Sequence, residues 1–242
     1  LIKLFLGNKT IVLLLIPIYL VCYQVLNYFF GFYDLSQAVS FGMWSQNATF
    51  NTTLSACLAS LFVLFNAYGL NLLVNRNNFY QRNTYLVALI YIVFMSLFQY
   101  SYLLNGTLLL HAAVIIMIHQ MFELSKREDG RKNIFNAFLF LGIGVTVFPL
   151  FVFMLPMIVL SVLVIRAFSL QEALTALTGF LLPFIYYFSF EYLSNTSFGF
   201  QLNPELLNNE DKDFWFVAIS IAIFLILSFV VVIVKSRKAK IQ

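Results

Sequence analysis

Residues 133–166 read NIFNAFLFLGIGVTVFPLFVFMLPMIVLSVLVIR, 34 residues with Pro149 and Pro156 inside and no charge before Arg166. A membrane helix needs about 20 mostly apolar residues. The stretch is therefore long for one span and short for two. Its reading decides how often the chain crosses a membrane and on which side it emerges.

Composition makes the membrane the premise. Of 242 residues, 62% are apolar and 10% charged, with a mean hydropathy of +0.90. A soluble domain is about half apolar and about a quarter charged, so this chain lacks the polar groups to cover a globular surface. No run reads as a cleavable signal peptide, because the first apolar segment lacks a small-residue cleavage site. Beyond 133–166, the segments 10–30, 54–74, 85–104, 107–124, 170–192 and 214–234 each approach the length of a span.

Charge settles the ambiguous stretch. Lys and Arg concentrate in cytoplasmic loops. If 133–166 is a hairpin of two short helices, 134–148 and 150–165, there are eight spans with both termini cytoplasmic. In that arrangement 13 of the 14 basic residues are inside and only Lys212 is outside. If it is one kinked helix, the tail inverts and five basic residues fall outside. The expectation is an all-α, polytopic transmembrane helix bundle forming a single domain over 1–242, with the hairpin turn near Phe148–Pro149.

The segment ELSKREDGRKNIF, 123–135, then becomes a cytoplasmic loop. Six charges in the seven positions from Lys126 to Lys132 hold orientation against anionic headgroups. A net charge of +4 is explained by topology and does not call for nucleic acid. Asn105-Gly106 signals a tight turn between two spans. Ser169-Leu-Gln-Glu172 matches a capping box and starts a helix just after Arg166. Residues 31–53 place Phe32, Leu35, Val39 and Met43 at helical spacing before Trp44, which suits a helix lying in the interface. Residues 193–213 are acidic, with Glu205, Glu210, Asp211 and Asp213. No repeat or low-complexity tract is present.

Polar groups inside a bilayer need a reason. Asn66 and His119 each lie about twelve residues into their spans, so equal depth would permit a hydrogen bond between helices, and both are expected to face the bundle within reach of each other or of another interior polar group. His119 and Glu123 share a helix face, and His111 sits near an outer span end. Two histidines and no mid-span carboxylate leave no metal site, and no nucleotide or hydrolase motif appears. Cys22 and Cys57 lie in apolar runs and read as small hydrophobes. No cofactor is implied. The candidate external carboxylates are Asp34, after the first span, and Glu191, at the end of the seventh.

With the spans so placed, the chain resembles, over most of its length, an uncharacterised family of flavobacterial-type polytopic inner-membrane proteins, a domain of unknown function. The likeness rests on LIKLFLGNKTIVLLLIPIYL, on LLVNRNNFYQRNTYLVALIYIVFMSLF, and on FELSKREDGRKNIFNAFLFLGIGVTVFPLFVFMLPMIVLSVLVIRAF. It implies a multi-pass protein of the bacterial inner membrane. A carotene monooxygenase activity, attached to some members, would need several histidines for iron, and this chain has two.

The layout is also similar to the membrane module of GT-C glycosyltransferases, which use polyprenyl-linked sugars. That family places long external loops after the first and seventh spans and a catalytic Asp in the first. The matching loops are 31–53 and 193–213, with Asp34 as the candidate base. The chain departs from the family in lacking an acidic pair in the first loop. The expectation taken forward is a non-enzymatic component or accessory of a cell-envelope assembly, in contact with lipids and other membrane or envelope proteins. A GT-C-like transferase, active or silent, and a permease passing Asn66 and His119 are the alternatives.

Overall fold

A computed structural model of the chain describes residues 10–30, 52–80, 83–96, 101–126, 129–165 and 169–194. All lie within one compact unit, Leu1–Phe200. The expected span 214–234, most of the two external loops, and Asp34 fall outside the described residues.

The described chain is helical: α1 Thr10–Phe30, α2 Thr52–Arg76, α3 Leu86–Ser96, α4 Gly106–Leu124, α5 Arg131–Val147, a 3₁₀ helix Pro149–Met154, α6 Leu155–Ile165 and α7 Leu170–Ser194. Three stretches are long and apolar enough to cross a membrane: Thr53–Arg76, Gly106–Leu124 and Leu170–Leu193. Shorter apolar helices cover Val12–Leu26, Leu86–Ser96 and Pro149–Ile165. Large apolar side chains stand exposed on them, including Leu14, Phe65, Leu72, Leu160, Val164 and Ile185. In a bundle of this kind lipid, rather than protein, is the natural solvent for such a surface.

The helix ends follow local chemistry. Asn105 is the N-cap of α4, and its side chain accepts from the Leu108 amide at 3.2 Å. At the start of α7 the capping box is reciprocal. The Ser169 amide donates to Glu172 Oε2 at 3.1 Å, and the Glu172 amide donates to Ser169 Oγ at 3.3 Å. After α2 the chain turns through Asn78, whose φ of 54° is one that Asn tolerates. Asn75 closes this turn by donating to the Thr84 carbonyl at 3.0 Å and accepting the Thr84 amide at 3.2 Å.

Residues 133–166 reverse direction. Phe148 is extended (φ −146°, ψ 104°), as a residue before proline prefers. Phe151 folds back against Gly144. The helices on either side show that the reversal is complete. Arg131 at the start of α5 donates to Gln171 at the start of α7, Phe135 and Leu139 meet Gly179, and Gly142 meets Phe180 and Pro183. Contacts in this order mean that α5 and α7 run parallel. The chain must therefore return between them, and the 3₁₀ helix with α6 makes that return.

The same bookkeeping orients the rest. Asn66 meets Leu108, Gly69 meets Ile115 and Arg76 meets Glu123, so α2 and α4 are parallel. Leu110 lies beside Gly144, so α4 and α5 are antiparallel. Two apolar cores result, one among α1, α2, α3 and Leu108, the other among α4, α5, the 3₁₀ helix, α6 and α7. The charged side chains of the described residues then sort by end. Arg76, Glu123, Lys126, Asp129, Arg131, Lys132 and Glu172 share one end, and Glu191 alone approaches the other.

Of the expected span 85–104, α3 covers Leu86–Ser96, and residues 97–100 lie outside the described residues. Hydroxyl groups join the described parts of this region. The Ser96 carbonyl accepts from Tyr102 at 2.8 Å and also from Tyr23 of α1, and Ser101 donates to the Met95 carbonyl at 2.6 Å. Ser101, Tyr102 and Leu104 are buried.

Candidate functional site

Asn66 and His119 were expected within reach of each other or of another interior polar group, and for Asn66 the partner is the Leu108 carbonyl. Asn66, 1% exposed, donates from Nδ2 to the Leu108 carbonyl at 3.1 Å. His119 lies about three turns further along α4, half-buried and within electrostatic reach of Glu123. Equal counts from the helix starts misled because α2 and α4 are staggered. Asn66 is deep in α2, yet it meets only the third residue of α4.

The Leu108 carbonyl that holds Asn66 lies one turn before His111 on α4. Tyr91 of α3 stands with its hydroxyl 3.0 Å from His111 Nδ1 of α4, the two rings edge to face with centroids 6.1 Å apart. A phenol of α3 and an imidazole of α4 thus pair in the half of the bundle remote from the charged end. Tyr91 was not foreseen, and His111 seemed an ordinary interfacial residue. The available signal was a tyrosine and a histidine at comparable depth in spans joined by the Asn105-Gly106 turn.

Other interior polar groups also tie helices together. Tyr68 of α2 donates to the Leu13 carbonyl of α1 at 2.9 Å, and the Leu104 amide donates to Ser55 Oγ at 2.9 Å. Tyr23 and Tyr102 stack with centroids 5.6 Å apart over the end of α3. At the charged end, Glu123 lies 3.6 Å from Arg76 and 3.5 Å from Lys126, and Lys126 also donates to Asn77 at 2.9 Å.

Of the candidate carboxylates, Glu191 is buried on α7 and accepts a hydrogen bond from the buried Tyr187 hydroxyl one turn earlier. Asp34 lies outside the described residues. No group of three or more His, Cys, Asp or Glu able to hold a metal occurs among the described residues. Cys22 and Cys57 are free thiols on exposed helix faces. No family model matches the chain, and neither a curated protein nor a solved structure matches it.

Proposed function

We propose that the protein is a multi-pass component of a bacterial inner membrane, crossing it eight times, and that it serves a cell-envelope assembly as a non-enzymatic accessory. The observation that carries this reading is the use of the interior polar side chains. Asn66, Tyr68, Ser55, Tyr23 and Tyr102 each bond to the backbone of another segment, so they fix how helices sit together. Bonds of this kind are a recurrent means of helix association in lipid. The charged end supports the orientation, with Arg76, Lys126, Arg131 and Lys132 facing the cytoplasm and anionic headgroups. The pattern likeness to the flavobacterial-type family points the same way.

Purification from native membranes tests the assignment. A membrane or envelope protein should accompany the chain at fixed stoichiometry and be lost when the exposed apolar faces are altered. The opposing result is a chain that purifies alone and transfers sugar from a polyprenyl carrier. Asp34→Asn would then remove the about 10²–10⁴-fold that a general base contributes without changing expression.

A further inference from the structure

Two basic side chains at the charged end share one carboxylate. Arg76 Nη2 lies 3.6 Å and Lys126 Nζ 3.5 Å from the same oxygen, Oε1 of Glu123. The two cations therefore stand no further apart than the sum of those distances, close enough for one phosphate to take a charge-assisted bond from each. The carboxylate lies underneath. Its side chain is 15% exposed, against 56% for Arg76 and 48% for Lys126, so an approaching ion meets the positive groups first. Two cations against one carboxylate leave a charge of +1 on the three side chains, which one monoanionic phosphodiester neutralises.

Local structure holds these groups in place. Lys126 Nζ also donates to Asn77 Oδ1 at 2.9 Å, and Asn77 Nδ2 is itself tied to the Leu73 carbonyl at 2.8 Å. Asn75 closes the turn that follows by its bonds to Thr84. Phe79 pins the same turn to α4, its ring edge to face with Phe122 at a centroid distance of 5.5 Å. Part of the side-chain freedom that binding would cost is thus lost already.

The face of α2 behind the cations is apolar. Arg76 is the last residue of α2, and Leu72 and Phe65, one and three turns before it on the same face, are both exposed. From Phe65 to Arg76 the helix rises about 16 Å, about half the thickness of the hydrocarbon core. A free phosphate would use the cations alone, whereas a phospholipid uses the cations and the apolar face together. Basic sites between membrane helices at such an end suit anionic headgroups.

We propose that Arg76 and Lys126 hold the phosphate of one anionic phospholipid at a site between the ends of α2 and α4, with an acyl chain along Leu72 and Phe65. The site deepens the reading of this end as a headgroup-facing surface. It rests on the membrane assignment and not on the accessory role. Arg131 and Lys132 share the same end without sharing the site, and Arg131 is engaged with Gln171 and Asp129.

Native mass spectrometry of the delipidated protein in detergent tests the site, with phosphatidylglycerol, phosphatidylcholine and inorganic phosphate as probes. One phosphatidylglycerol should bind in preference to phosphatidylcholine, and excess inorganic phosphate should not displace it. Arg76→Gln and Lys126→Gln should each weaken that binding about tenfold, the worth of one hydrogen bond to a charged group. Lys132→Gln removes the same charge from the same end and should leave the binding unchanged. An equal loss in Lys132→Gln overturns the proposal, because the attraction is then general to the surface. Equal binding of the two lipids overturns it as well, and displacement by inorganic phosphate overturns the lipid as occupant. If Arg76→Gln does not fold, an unchanged affinity in Lys126→Gln overturns the site equally. A chain that stays soluble without detergent would overturn the membrane assignment together with the site, whereas the other outcomes strike the site alone.

Discussion

Gly142 of α5 lies so close to Phe180 of α7 that a Cβ placed on it would stand 2.5 Å from the Phe180 carbonyl oxygen. The relationship is reciprocal, since a Cβ on Gly179 of α7 would stand 2.6 Å from the Phe135 carbonyl oxygen of α5. Backbone therefore meets backbone at two levels, and small residues are what allow helices to approach so closely in lipid. Pro183 sits beside Gly142 within α7 and removes one amide donor from that helix.

Gly142→Ala and Gly179→Ala should each push α5 and α7 apart. The expected cost is about 1–3 kcal/mol each, the usual range for overpacking. Thermal unfolding in detergent measures it. Gly69→Ala is the control, because its Cβ would meet only Ile115 at an ordinary 3.7 Å. An equal loss in all three variants would contradict the close-approach account.

The parallel course of α5 and α7 predicts sidedness. With Cys22 and Cys57 replaced by serine, single cysteines at Ser125 and Ser169 should react with an impermeant maleimide from the same side. A cysteine at Phe148 should react only from the other. Labelling of Phe148 and Ser169 from one side would remove the return pass through the 3₁₀ helix and α6.

Ser169→Ala should cost about 1 kcal/mol, as loss of an N-cap hydroxyl usually does. Glu172→Ala removes the other half of the box and should cost a similar amount. Because the two side chains serve one helix start, the double variant should lose less than the sum of the two. Melting of the four proteins in one detergent supplies the cycle. Strict additivity would mean that the reciprocal bonds do not couple.

Much of this architecture was legible in the sequence, and the failures have physical causes. Pro149 announces the break at Phe148 because proline excludes the helical region from the residue before it. Ser169 and Glu172 announce a helix start because the capping chemistry is local. The partners of the Ser96 carbonyl were not legible, because one of them, Tyr23, comes from another helix. The partner of Asn66 was hidden for a related reason. Counting residues from a span end gives depth only when helices start level, and the stagger of α2 against α4 is set by tertiary packing.

Glu191 decides between a structural and a reactive carboxylate at the charge-poor end. It is 7% exposed and accepts from Tyr187, itself 4% exposed, one turn earlier on α7. A hydrogen bond to a charged group contributes about 1.5–3 kcal/mol, and removing one partner leaves the other buried with less support. Tyr187→Phe should therefore destabilise the protein by about 1–3 kcal/mol, and Glu191→Gln by less, since the amide still offers an oxygen to the phenol. The double variant Tyr187→Phe with Glu191→Gln should recover part of the loss, because the charge that missed its donor is gone. A coupling above about 0.5 kcal/mol in thermal unfolding supports a structural pair. Additive losses, together with an envelope function abolished by Glu191→Gln at unchanged stability, would instead make Glu191 a carboxylate that acts on something outside α7.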